Sequence, residues 1–135
     1  MSANRQRTIG GEVTLDGTGV HSGESAKLTF RPAEPGTGLR FRRVDLDEAP
    51  EIPADVNYVV GTQLGTTLGK DDVRVLTVEH VLAAVTGVGV DNLLVDVEGP
   101  EVPIRDGSFQ DYVTALDEDG VMNDGLRDRK STRLS

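Results

Sequence analysis

Residues 77–98 read TVEHVLAAVTGVGVDNLLVDVE, and the spacing of their apolar side chains changes partway along. Val78, Val81, Leu82 and Val85 fall at i, i+3, i+4 and i+7, the pattern of one face of an α-helix. Thr77 stands where a hydroxyl would cap the first turn, and Gly87 stands where the helix would end. Leu93, Val95 and Val97 then alternate with Leu94, Asp96 and Glu98, which is the period of a strand.

Working outward, the chain before this stretch is strand-like from Thr8 to Leu46. Ile9, Val13 and Leu15 lie in extended sequence, and Ala26, Leu28 and Phe30 alternate with Lys27, Thr29 and Arg31. Turns are marked by Asp16-Gly17-Thr18-Gly19, Ser22-Gly23 and Pro35-Gly36-Thr37-Gly38, after which Leu39, Phe41 and Val44 resume an apolar face. Short strands are expected around Ile52–Val56 and Leu64–Leu68. Downstream, Pro100 and Pro103 break the strand. Ser108 and Asp111 resemble a capping box, and Phe109, Tyr112, Val113 and Leu116 repeat the helical spacing as far as Gly120.

Strands followed by two amphipathic helices around one further strand predict an α+β fold: a two-layer sandwich, mostly antiparallel sheet, with two helices packed on one face. One domain is expected over residues 1–126. Residues 127–135 carry Arg127, Arg129, Lys130 and Arg133 and no apolar periodicity, so they read as a disordered or non-native basic tail, with a natural flexible linker as the alternative.

The 135 residues hold 23 Asp plus Glu against 14 Lys plus Arg, a net charge of −9. Nucleic-acid binding needs cations to neutralise phosphates, so this balance argues against it. There is no cysteine, which excludes disulfides and thiolate metal sites. No apolar run approaches the ~20 residues of a membrane span, and Met1–Arg7 is polar with no hydrophobic signal region after it. A soluble, cytoplasmic protein is expected.

Helical periodicity turns Glu79 and His80 away from the apolar stripe at the start of the first helix. A carboxylate there suits the positive end of the helix dipole, and an imidazole there could bind a metal or simply satisfy itself on the surface. The pair is not an HExxH motif, because Ala84 stands where the second histidine is required. His21 and His80 are the chain's only histidines, whereas a catalytic zinc takes three protein ligands. His21 lies in Gly19-Val20-His21-Ser22-Gly23, either a ligand-contacting loop or a plain hairpin turn. Thr62-Gln63-Leu64-Gly65 could edge a cleft, with Gly65 admitting close approach, or be only strand and turn. Asp106 could accept hydrogen bonds from the start of the second helix. Neither Gly69-Lys70 nor Gly17-Thr18-Gly19 completes a phosphate-binding motif.

Five segments taken together resemble the UDP-3-O-acyl-N-acetylglucosamine deacetylase family of lipid A biosynthesis. They are Gly19-Val20-His21-Ser22-Gly23, Phe41-Arg42-Arg43-Val44-Asp45, Thr77-Val78-Glu79-His80, Gly89-Val90-Asp91-Asn92 and Pro100 through Ser108. The similarity spans about residues 5–122, matching the first of that family's two similar α+β domains. It implies a zinc-dependent amide hydrolase that removes acetate from the 2-amino group of a UDP-linked, 3-O-acylated glucosamine. On that resemblance Glu79 is the general base and His80 a zinc ligand. His21 and the loop Thr62, Gln63, Leu64 and Gly65 line the substrate site. The remaining zinc ligands, a His and an Asp, and the histidine that protonates the amine belong to the family's second domain, which is expected to pack on this one. The chain then reads as a truncated half-site, inactive alone. The alternative is a stand-alone domain that binds a sugar nucleotide or a protein partner without catalysis.

Overall fold

A computed structural model describes residues 6–61, 65–103, 108–118 and 121–123, with positions 108, 109, 118 and 121–123 described as backbone only. The strands are β1 (Arg7–Ile9), β2 (Val13–Thr18), β3 (Ser25–Pro32), β4 (Leu39–Arg43), β5 (Glu51–Pro53), β6 (Val59–Gly61), β7 (Thr67–Lys70), β8 (Val73–Val75), β9 (Leu93–Glu98) and β10 (Val121–Asn123). The helices are α1 (Glu79–Val88) and α2 (Ser108–Glu118). The fold is α+β, as the change of period predicts.

The main sheet has five strands in the order β2-β3-β9-β4-β5, and all its pairings are antiparallel except β4 with β9. Two smaller sheets, β6-β7-β8 and β1-β10, accompany it. On the main sheet the alternation is carried through. Leu28, Phe30, Phe41, Ile52, Leu93, Val95 and Val97 are buried, and they join Val78, Val81, Ala84 and Val85 of the α1 region and Tyr112, Ala115 and Leu116 of α2 in one core. Phe30 and Tyr112 meet edge to face, with ring centroids 6.0 Å apart, so α2 lies on that face.

The opposite face of the sheet is polar. Asp96 faces outward by register yet is only 5% exposed. The guanidinium of Arg42 donates to both its oxygens, at 2.6 and 2.9 Å, and Arg31 Nε donates at 2.5 Å. Arg31 also reaches Glu12. Flanking guanidinium groups thus replace the water that a carboxylate at this position loses. Arg43 binds Asp45 through both ends of its fork and donates from Nη1 to the Arg74 carbonyl at 2.9 Å, tying the main sheet to the small one. That fork holds the Asp45 carboxyl below its ordinary value, against the opposing effect of burial.

Several boundaries differ from expectation. Helix α1 continues through Gly87 to Val88 and closes at Gly89, whose φ of 89° is left-handed and whose N–H bonds the Val85 carbonyl. A glycine inside a helix costs only ~1 kcal/mol, whereas the left-handed closing position selects for one. Thr77 does not cap α1. The N-cap is Val78, which makes no side-chain cap bond, and Thr77 itself has φ 65°. Strand β5 stops at Pro53, because Asp55 caps a short 3-10 turn over Val56–Tyr58 and accepts from the Asn57 N–H. Strands β6 and β8 were not expected; both are three residues long, too short for alternation to show. Extended chain from Ile9 to Leu15 is split between β1 and β2, which belong to different sheets. β10 (Val121–Asn123) is a further strand that the pattern does not predict, within the expected domain. The capping role of Ser108, the helix stop at Gly120, Asp106 and the tail 127–135 lie outside the described side chains.

Candidate functional site

The first turn of α1 carries Glu79 and His80, and the apolar stripe behind it decides where they point. Val78 and Val81 are fully buried, Glu79 is half-buried and His80 is exposed. The loop leading into β7 grips the helix start. The Val78 N–H bonds the Thr66 carbonyl at 3.0 Å, and the Thr66 N–H returns a bond of 2.8 Å to Glu79 Oε1. Gly65 is required beneath this carboxylate. Its φ is 98°, and a Cβ there would stand 2.9 Å from Glu79 Oε2. Of the loop Thr62–Gly65, only Gly65 is described, and it touches Glu79; Thr62, Gln63 and Leu64 lie outside the described residues. His80 has no side-chain hydrogen-bond partner among the described residues.

His21 sits near this turn, joined to it through a buried carboxylate. The main-chain N–H groups of His21 and Ser22 donate to Glu101 Oε1 at 2.9 and 2.8 Å, and Thr77 Oγ1 donates to Oε2 at 2.5 Å. The His21 Nδ1 lies 2.9 Å from the same Oε2 and 3.1 Å from Thr77 Oγ1. Glu101 is completely buried, held by a parallel bridge to Leu76, while the imidazole of His21 remains 30% exposed. Burial pushes the Glu101 carboxyl up, but bonds from Thr77, Ser22 and His21 outweigh it and bring it down to about 2. Gly19 makes room, since a Cβ there would meet Glu101 Oε1 and Ser22 Oγ at 2.5 Å.

Sequence patterning brings out Glu79, His80, His21 and Gly65 but misses Glu101 and Thr77 as site residues. The signal for Glu101 is a lone carboxylate between Pro100 and Val102-Pro103, immediately after a buried strand. Its partner His21 is 80 residues away, beyond any local pattern.

The model of the UDP-3-O-acyl N-acetylglycosamine deacetylase family matches residues 6–133. The chain belongs to that family. A deacetylase of Geobacter sp. (strain M21), named UDP-3-O-acyl-N-acetylglucosamine deacetylase, is 49% identical over 120 residues, covering 89% of this chain and 39% of the relative. Deacetylases of the same name from Coxiella burnetii (strain Dugway 5J108-111) and Myxococcus xanthus (strain DK1622) are each 51% identical. They align over 117 and 120 residues, 87% and 89% of this chain and 39% and 38% of the relatives. The chain thus spans about two fifths of the length of the deacetylases it matches.

His80 and the adjacent Glu79 are of the right kinds for a zinc hydrolase, but they are too few. Among the described residues no three His, Asp or Glu side chains converge into a metal-binding group. These residues alone do not make a three-ligand zinc site. No helix among the described residues is long and apolar enough to cross a membrane.

Proposed function

We propose that this chain supplies part of the active site of a zinc-dependent amide hydrolase acting on UDP-3-O-(3-hydroxyacyl)-N-acetylglucosamine in the cytoplasm. The reaction adds water across the acetamide, releases acetate and leaves a free amine, committing the sugar to lipid A synthesis. Residues 1–126 form one half of that enzyme. A second domain packs against it and completes the zinc site begun by His80. The observation that carries this reading is the Glu79 carboxylate, anchored on one oxygen by the Thr66 N–H and set over Gly65, beside an exposed imidazole at the same helix start.

Zinc, when bound, supplies Lewis-acid polarisation of the carbonyl and a water of near-neutral pKa. Glu79 would take a proton from a water whose oxygen adds to the acetamide carbon, and the C–N bond would break as the departing amine nitrogen receives a proton, so that one water is added across the amide. The bond from Thr66 orients one oxygen of Glu79 and leaves the second for this transfer. His21 and the loop Thr62, Gln63, Leu64 and Gly65 contact the sugar nucleotide.

The test combines this chain with the part of a relative that lies beyond the matched region and follows acetate release from the UDP-sugar. Release that a chelator stops and that Glu79→Gln lowers by ~10²–10⁴-fold supports the reading. Release indifferent to both overturns it. Saturable, metal-independent binding of the UDP-sugar with no acetate released would favour a binding domain instead.

A further inference from the structure

A completely buried carboxylate is costly unless its lone pairs are met, and Glu101 is met by two groups of donors that play different parts. Oε1 receives the two main-chain N–H groups of the 19–23 loop. Oε2 is shared at longer range by the His21 N–H, at 3.2 Å against 2.9 Å to Oε1, and otherwise faces side chains, the Thr77 hydroxyl and His21 Nδ1. The main-chain bonds tie the loop to Glu101 without using the imidazole. An imidazole turned onto the second oxygen therefore calls for its own explanation, and nothing in the roles of Glu79 and His80 uses it.

We infer that Glu101 is a positioning residue for His21: it fixes the ring with hydrogen on Nδ1 and leaves Nε2 as an unprotonated acceptor for a hydroxyl or N–H of a ligand bound at the start of α1. Both neighbours of Nδ1 are acceptors in this geometry. An ionised carboxylate can only accept, and Glu101, held at about 2, stays ionised throughout the physiological range. Thr77 has given its own hydrogen to Oε2, so its oxygen turns lone pairs toward Nδ1, 3.1 Å away. The hydrogen on the neutral ring is thereby assigned to Nδ1, and Nε2 is the remaining polar atom of a side chain still 30% exposed. The same carboxylate oxygen binds Thr77, two residues before Glu79, so the orientation of His21 and the entry to the Glu79-His80 turn are set by one group. That the ligand is the sugar nucleotide rests on the function proposed above; the tautomer does not.

The experiment labels the histidines of the chain with 15N and reads long-range proton–nitrogen correlations at about two pH units above the ordinary histidine pKa of ~6.5. With only two histidines in the sequence, His80→Gln identifies the His21 signals. The expected spectrum has Nδ1 protonated and Nε2 bare. In Glu101→Gln the His21 and Ser22 N–H groups keep the amide oxygen in the place of Oε1, which turns the amide –NH2 onto Nδ1. The tautomer then inverts to Nε2–H. Thr77→Ser retains the hydroxyl and the wild-type tautomer. A wild-type ring protonated on Nε2, or on both nitrogens, overturns the inference, and so does a folded Glu101→Gln variant with an unchanged tautomer. If Glu101→Gln does not fold, the wild-type spectrum still decides. Because nothing is read from acetate release, failure of the tautomer and failure of the hydrolase reading are separate results.

Discussion

Two carboxylates stand on either side of the entry to α1, and they are held in opposite ways. Glu101 has no exposed surface and both its oxygens are occupied by donors from the 19–23 loop and Thr77. Glu79 is half-buried, anchored among the described residues by the Thr66 N–H, with a glycine cleared beneath it. The first is a structural charge that fixes where neighbouring groups sit. The second is restrained but still open to solvent and ligand. Carboxylates on either side of one helix entry can thus differ entirely in use, and the number of donors each has captured tells them apart.

The sharpest way to break that contrast is Glu101→Ala. It strips the acceptor from two N–H groups and a hydroxyl inside the protein and should cost ~3–5 kcal/mol, read from the midpoint of urea unfolding. Acid tests the same group without mutation. Its folded carboxyl lies near 2 against an ordinary 4.5, so it stabilises the fold above the unfolded value. That contribution, on the order of 3 kcal/mol, drains away as pH falls through 4.5 toward 2. In Glu101→Gln this part of the acid dependence should vanish; an unaltered pH profile would show that the charge is not held as described.

On the open side the expected effects shrink. Gly65→Ala forces a left-handed residue and puts a methyl against the Glu79 carboxylate, which should cost ~1–3 kcal/mol and displace that side chain. Loss of acetate release beyond the loss of folded protein would separate the second effect from the first. His80→Ala should be the mildest, within about ±0.5 kcal/mol, because the imidazole is exposed and unbonded among the described residues. A large destabilisation there would erase the distinction between the two sides.

Much of the scaffold was legible in the sequence because it is written in local period. The stripe Val78, Val81 and Val85 is buried, with Leu82 half-buried against the core, and Ala26, Leu28 and Phe30 of β3 and Leu93, Val95 and Val97 of β9 are buried as the alternation predicts. Glu79 and His80 were legible as outward-facing for the same reason. What escaped depends on contacts across the fold. Asp96 follows the exposed half of its strand's alternation and is nonetheless buried, because Arg31 and Arg42 converge on it from β3 and β4. Thr77 has the residue type of a helix cap, yet a left-handed backbone and the nearby Glu101 claim its hydroxyl instead. Gly65 could be read as room for a ligand or as plain strand and turn; what the pattern could not show is that the place of its missing Cβ lies against the chain's own Glu79 carboxylate.

The parallel pairing of β4 with β9 bears on how the molecule assembles. β2 with β3 and β4 with β5 are antiparallel pairs between near neighbours in sequence, while β9, the last strand of that sheet to be reached along the chain, lies between them. Neither pair can dock on the other until residues 93–98 arrive to bond both, across separations of some fifty to seventy residues. Loop closure over such spans is entropically costly, so insertion of β9 is expected to be the slow step of folding, which substitutions in β9 that lower the refolding rate would check. The stretch enclosed by that closure includes the three-stranded sheet and the helix bearing Glu79 and His80, so the same pairing that joins the two halves of the main sheet also brings the ends of this stretch together.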